Sequence, residues 1–211
     1  MANDAAERGL STSIRTALDL SLSACRTWPE QDEGPYHRAD APVRRDVTED
    51  APGLPLALGM RLVDTDGAAV TNATVEIWHC DALGRYSGFP PPAPPTEYVA
   101  DRMFLRGAQP ADGGGTVEFR TVYPGWYPGR TVHIHVRALA RGQTFTSQLY
   151  FPEEVNEEVL NRDPYFSHRG RDTTNDADAI APEGGGPALL DVSADADGYL
   201  GVTCLVVPTD R

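Results

Sequence analysis

The chain has 211 residues, enough for one well-buried core with a short appendage and too few for two full domains. Its formal net charge is −13 and all eighteen basic residues are arginine, so its average field repels nucleic acid and anionic membranes and argues against polyanionic partners. Forty per cent apolar residues with eighteen prolines and twenty glycines fit a turn-rich, mostly β protein better than a helical bundle.

The N-terminus carries early acids and no unbroken apolar leader core, and no run approaches the roughly 18 apolar residues that span a bilayer. As written, the chain reads as cytoplasmic and soluble; a secreted protein shorn of its signal peptide would look the same. Residues 7–24 set Leu10, Ile14, Ala17 and Leu18 at the i, i+4, i+7, i+8 spacing of an amphipathic helix. This predicts a helical arm over 1–24 that serves packing or dimerisation, with a homodimer among the assemblies it allows. From Trp28 to about Pro52 the chain is polar and proline-containing, and PEQDEGPYHRADAP reads as an extended loop that must lie against something larger.

Six β-type runs follow: LPLALGMRLVD, ATVEIWHC, GTVEFRTV, TVHIHVRAL, QTFTSQLYF and GYLGVTCLVV. Turn chemistry at DTDG, ADGGG and ARGQ separates them as in a sandwich or barrel. GFPPPAPPTEY (88–98), with five prolines, predicts a stiff surface loop. FPEEVNEEVL predicts a short helix with Val155 and Val159 on one face, and the acidic, Gly-rich segment 172–186 predicts a mobile excursion. The odd set Cys25, Cys80 and Cys204 predicts reduced, packed thiols, with a Cys25–Cys80 bridge as the alternative; no C-x-x-C zinc spacing is present.

His133 and His135 are one residue apart, which in a strand puts both imidazoles on one face, roughly 7 Å apart along the backbone. Flanking Val132, Ile134 and Val136 favour the strand. Such a pair is either structural and hydrogen-bonded or two arms of a metal site. The residues after His135 lack the glutamate of a cupin, and His37, His79 and His168 lie in contexts unrelated to a zinc hydrolase; His79 reads as structural. Tyr123 and Tyr127 precede the pair. Phenolate oxygen is a hard anionic donor that suits ferric iron better than zinc or copper.

The ordered set Tyr, Tyr, Arg-x-x-His-x-His and Gln is carried by VEIWHCDALGRYSGF (75–89), FLRGAQPADGGGTVEFRTVYPGWYPGRTVHIHV (104–136) and FTSQLYFPEE (145–154). With PEQDEGPY and RRDVTEDAPGLPL upstream, it resembles the intradiol ring-cleavage dioxygenases of catechol, hydroxyquinol and protocatechuate, over about residues 25–166. The resemblance implies an antiparallel β-sandwich catalytic domain over 25–211, behind a short arm, with long loops. It implies one non-haem Fe(III) held by Tyr86, Tyr127, His133 and His135, with a small aromatic diol and O2 as reactants. Both oxygen atoms enter the product, and the ring opens between the hydroxyl-bearing carbons to a muconate-type diacid.

By position, Tyr127 is the labile ligand that takes a diol proton, Arg130 stabilises developing negative charge and Gln148 hydrogen-bonds oxygen species. Tyr36 closes the pocket from the N-terminal loop, Trp126 is a pocket wall or a core residue, and Tyr123 falls to packing. Two departures stand out: only about 24 residues precede the match, and six positions separate Tyr127 from His133 where several relatives insert a longer loop. The short link predicts a roomier site for substituted or polycyclic catechols. A different class remains open, since DGAAVTNATVEIWHCDALGRYS also resembles transthyretin-like or carboxypeptidase-regulatory modules, which bind or brace without catalysis.

Overall fold

Alternating apolar residues become the facing surfaces of two sheets. A computed structural model describes residues 10–21, 25–90, 101–182, 186, 188–196 and 198–207. The strands are β1 (Arg26–Thr27), β2 (Pro55–Val63), β3 (Thr74–Trp78), β4 (Arg106–Pro110), β5 (Thr116–Val122), β6 (His133–Ala140), β7 (Gln143–Tyr150), β8 (Asp191–Asp195) and β9 (Gly198–Val206); the helices are α1 (Thr12–Ser21) and α2 (Glu153–Leu160). One sheet has the order β1-β9-β2-β5 with β8 also on β9, and the other is β4-β3-β6-β7. The antiparallel sandwich holds throughout the second sheet, whereas in the first β9 runs parallel to β2 and β1.

Leu56, Leu58, Met60 and Leu62 of β2 and Val117 and Phe119 of β5 meet Val75, Ile77, Ile134, Val136 and Leu149 of the second sheet in one core. Each such side chain contributes about 1.5–3 kcal/mol on burial. The opposite face of the first sheet is covered by α1, whose Ile14 and Leu18 pack on Leu200 and Val202, with Ala57 alongside. The predicted arm is therefore a packing element of its own sheet. The loop 28–52 lies along both sheets: Arg44 N donates to Ala108 O of β4 at 3.0 Å and Val47 N to Arg120 O of β5 at 3.0 Å, which occupies two strand edges.

Two expectations are corrected. Cys25 and Cys204 form a disulfide across 179 residues, and Cys80 is the buried free thiol. The pairing follows from register: β1 sets Arg26 opposite Leu205, which brings the residue before each strand partner together. The described part of segment 172–186 is held rather than mobile, because its acids find donors. Asp172 accepts from Gly129 N at 3.1 Å, and Asp178 is buried under four hydrogen bonds. Most of the proline-rich loop 88–98 lies outside the described residues. Strands β4 and β8 lack a strong sequence signal because RGAQP has no apolar alternation and DVSAD alternates only one Val and one Ala along a largely exposed strand. No helix among the described residues is long and apolar enough to cross a membrane.

Candidate active site

In β6 the even-numbered residues Ile134, Val136 and Ala138 enter the core, so His133, His135 and Arg137 point to the outer face of the second sheet. Register then builds rows across that face. Arg106 of β4, Trp78 of β3, His135 of β6 and Gln148 of β7 are direct neighbours, and His133 stands opposite Tyr150. An outer face would ordinarily be wet, yet His133 and His135 are 2% and 1% exposed because loops roof the rows.

Three loops form the roof. After β3, the Asp81 carboxylate accepts from Leu83 N and Arg85 N, both at 2.9 Å, and from Arg85 Nε at 2.8 Å, winding the turn that delivers Tyr86. Within that turn Gly84 has φ +77°, and a Cβ there would run into the Trp126 carbonyl, so this loop and the Tyr127 loop stack directly on each other. The N-terminal loop crosses His135 at Gly34 (φ +73°), where a Cβ would come within 3.3 Å of His135 Cε1. It also lays Tyr36 flat on Tyr86, with centroids 4.2 Å apart and planes 14° apart. Arg106 anchors this arrangement, donating to Tyr36 O at 2.6 Å and to Ser87 O at 2.9 Å.

The four predicted donors converge. Tyr127 Oη lies 3.2 Å, Tyr86 Oη 3.5 Å and His135 Nε2 3.2 Å from His133 Nε2. Two donors bound at about 2.1 Å to one first-row cation are about 3.0–3.6 Å apart for angles of 90–120°, so the spacing suits a shared ion. The Nδ1 of His133 lies 2.6 Å from Thr131 O, which makes it the protonated nitrogen and turns the Nε2 lone pair inward. His135 stacks on Trp78 with planes 7° apart, and its buried Nδ1 has no hydrogen-bond partner among the described residues. Burial and the Arg130 charge push the His133 pKa down to about 3; burial and His133 hold His135 well below the usual imidazole range. Burial raises Tyr127 to about 12, and burial together with Tyr127 raises Tyr86 well above the ordinary phenol. Two neutral imidazoles and two phenols directed at one point form an O2N2 donor set, which a multivalent cation that stabilises phenolate, such as a ferric ion, would fit. Among the described residues, no group of three or more His, Cys, Asp and Glu forms a competing metal site.

Arg130 and Gln148 also meet here. Arg130 Nη2 donates to Gln148 Oε1, while Nε donates to Asp178 Oδ2 at 2.9 Å. Burial opposes the Arg130 charge, but Tyr127 and Asp178 outweigh it and its pKa is raised. Trp126 is engaged elsewhere: its ring stacks on His168 and its Nε1 donates to His168 O at 2.8 Å, which supports the core role over a substrate-facing wall. Tyr123 packs on Phe151 and donates to Asn156 Oδ1 at 2.8 Å, and His79 is buried between Thr121 Oγ1 and Cys80 O, so both are structural. Thr131, lying between two singled-out residues, was findable from the motif; Arg106 and Asp178 carried no sequence signal.

A family model described as Dioxygenase matches residues 32–174. The chain is 29% identical over 141 residues to the chlorocatechol 1,2-dioxygenase of Cupriavidus pinatubonensis, covering 56% of this chain and 52% of that one. It is 33% identical over 116 residues to the catechol 1,2-dioxygenase of Acinetobacter baylyi, covering 53% and 36%. The chain thus spans about half or less of the length of these relatives. A solved intradiol ring-cleavage dioxygenase from Tetranychus urticae superimposes with a TM-score of 0.79 at 33% identity, over 87% of this chain and 95% of that one. The chain belongs to the intradiol ring-cleavage dioxygenase family.

Proposed function

We propose that the protein is an Fe(III)-dependent intradiol dioxygenase that opens a catechol-type diol between its hydroxyl-bearing carbons, inserts both atoms of O2 and releases a muconate-type diacid. The observation that carries this reading is the convergence of Tyr86, Tyr127, His133 and His135 on one buried point. A non-catalytic transthyretin-like module has no use for such a cluster. Residues 25–211 form the catalytic unit in this reading and 1–24 its arm. The Cys25–Cys204 bridge favours an oxidising compartment over a cytoplasmic one.

Bound ferric iron supplies a Lewis acid that keeps tyrosinates at neutral pH and draws electron density from a diolate ring, opening it to O2. Tyr127, at 8% exposed against 1% for Tyr86, is the more accessible phenol. That accessibility suits its oxygen to accept one proton from an incoming diol. Arg130, a permanent cation fixed by two partners, stabilises negative charge that develops on substrate oxygen and ring. Gln148 orients Arg130 through Oε1 and offers its amide to oxygen species. Tyr36 excludes water from above, its ring centroid 6.0 Å from that of Tyr127 with the planes 86° apart, and presents an aromatic surface to a planar substrate. Trp126 acts from behind, holding the Tyr127 loop.

The link from Tyr127 to His133 is a tight turn with Pro128 and Gly129 exposed, and Asp172 holds it through Gly129 N at 3.1 Å. The shortness of this link is what supports a substrate range that extends to substituted and polycyclic catechols; a strong kinetic preference for catechol itself over bulky diols would contradict it. The central test is iron analysis, visible absorption and product identification on the purified protein. A burgundy tyrosinate-to-iron absorption and a muconate-type product are expected. A colourless protein that takes up no iron on reconstitution would overturn the reading.

A further inference from the structure

We infer that Asp178 is a positioning residue for Arg130, so that a segment beyond the matched family region 32–174 sets the reactivity of the site. The inference rests on the ring-cleavage reading above. Arginine is long and rotamer-rich, and its value in a site depends on being held. Asp178 Oδ2 accepts from Arg130 Nε at 2.9 Å and from Thr131 N at 2.7 Å. Its Oδ1 accepts from Ile180 N at 2.8 Å and Ala181 N at 3.0 Å, so three main-chain donors fix the carboxylate before it fixes the guanidinium. The Asp178 side chain is 0% exposed.

Thr131 N is also bound by Asp178, and the carbonyl of the same residue, in the following peptide, lies 2.6 Å from His133 Nδ1. With Nε given to Asp178 and Nη2 to Gln148, Nη1 is the Arg130 nitrogen without a hydrogen bond among the described residues. That leaves the two N–H groups of Nη1 for substrate oxygen. A merely structural ion pair would tie down the segment around Asp178 without affecting what Arg130 does.

The test is a double-mutant cycle on the iron-loaded full chain with catechol: wild type, Asp178→Asn, Arg130→Gln and the double variant. Asp178→Asn is expected to lower kcat about 10- to 100-fold with iron content unchanged, as a displaced charge does. In the Arg130→Gln background the same change is expected to alter kcat by less than about twofold, because the two act as one unit. Should Asp178→Asn fail to fold, Asp178→Glu keeps the charge, displaces it by one methylene and is judged by the same criteria. Full activity in either variant, or an equal loss with and without Arg130, overturns the inference. An independent readout is the Arg130 Nε–H resonance of the metal-free protein, identified by its loss in Arg130→Gln. It is expected to move in Asp178→Asn or Asp178→Glu, and an unmoved resonance overturns the inference. Wild type that cleaves no diol would instead strike the functional reading, leaving the resonance to judge the Asp178 contact.

Discussion

Removing the Cys25–Cys204 bridge offers a quantitative check on the fold. The cross-link spans 179 residues, and in the chain-entropy account it lowers the entropy of the unfolded chain by about 2.1 + 1.5R ln n, or about 17–18 cal/mol/K for a loop of this size. At 25 °C that is about 5 kcal/mol of stability. The native side loses little, because β1 and β9 remain paired through Arg26–Leu205 and Thr27–Val206. With an unfolding entropy of about 2.1 cal/mol/K per residue, a 211-residue chain loses about 12 °C in Tm. Thermal melts followed by circular dichroism, on the Cys25→Ser/Cys204→Ser variant and on fully reduced wild type, measure the drop. Thiol titration in denaturant distinguishes one free thiol in the bridged protein from three after reduction. Three free thiols in the untreated protein, or a Tm drop below about 3 °C after verified reduction, would refute the reasoning.

The remaining predictions concern the site and its surroundings. Tyr86→Phe is expected to lose iron and colour, whereas Tyr127→Phe, altering the more exposed phenol, is expected to retain iron with a shifted absorption band; metal analysis and visible spectra of both variants decide it. Gly34→Ala forces a left-handed φ of +73° and presses a Cβ onto His135, at a cost of about 1–2 kcal/mol in strain alone. Chemical unfolding should register that loss, and catechol KM should rise as the Tyr36 loop lifts. His79 is buried and neutral, with burial lowering its pKa from 6.5 to about 4. The unfolded state therefore takes up the proton first as pH falls, so the stability His79 contributes is present above pH 6.5 and is lost towards pH 4, by on the order of 2 kcal/mol at pH 5. Urea midpoints of wild type and His79→Gln at pH 7 and pH 5 check this; equal pH dependence in the two would refute it.

The sequence alone determined which chemistry was present. Apolar alternation at LPLALGMRLVD and TVHIHVRAL specified strands with one face committed to the core, because the side-chain period of two admits no other assignment once that face is buried. The H-x-H spacing put two imidazoles on the opposite face, and the ordered tyrosines, Arg130 and Gln148 were legible from the resemblance.

What only the tertiary structure decided was proximity between residues distant along the chain. Cys25 meets Cys204 rather than Cys80 because β9 runs parallel to β1, a pairing invisible in either segment alone. Gln148 stands beside His135 by strand register, and Tyr86 reaches His133 across 47 positions because the Asp81 turn stacks on the Tyr127 loop. The segment around Asp178 read as mobile because acids and glycines lack apolar surface to bury; it is held instead by hydrogen bonds whose donors, Arg130 and the Thr131 peptide, lie 48 and 47 positions away. Composition records which groups a segment carries, and only the folded chain supplies the partners that make burying a charge tolerable.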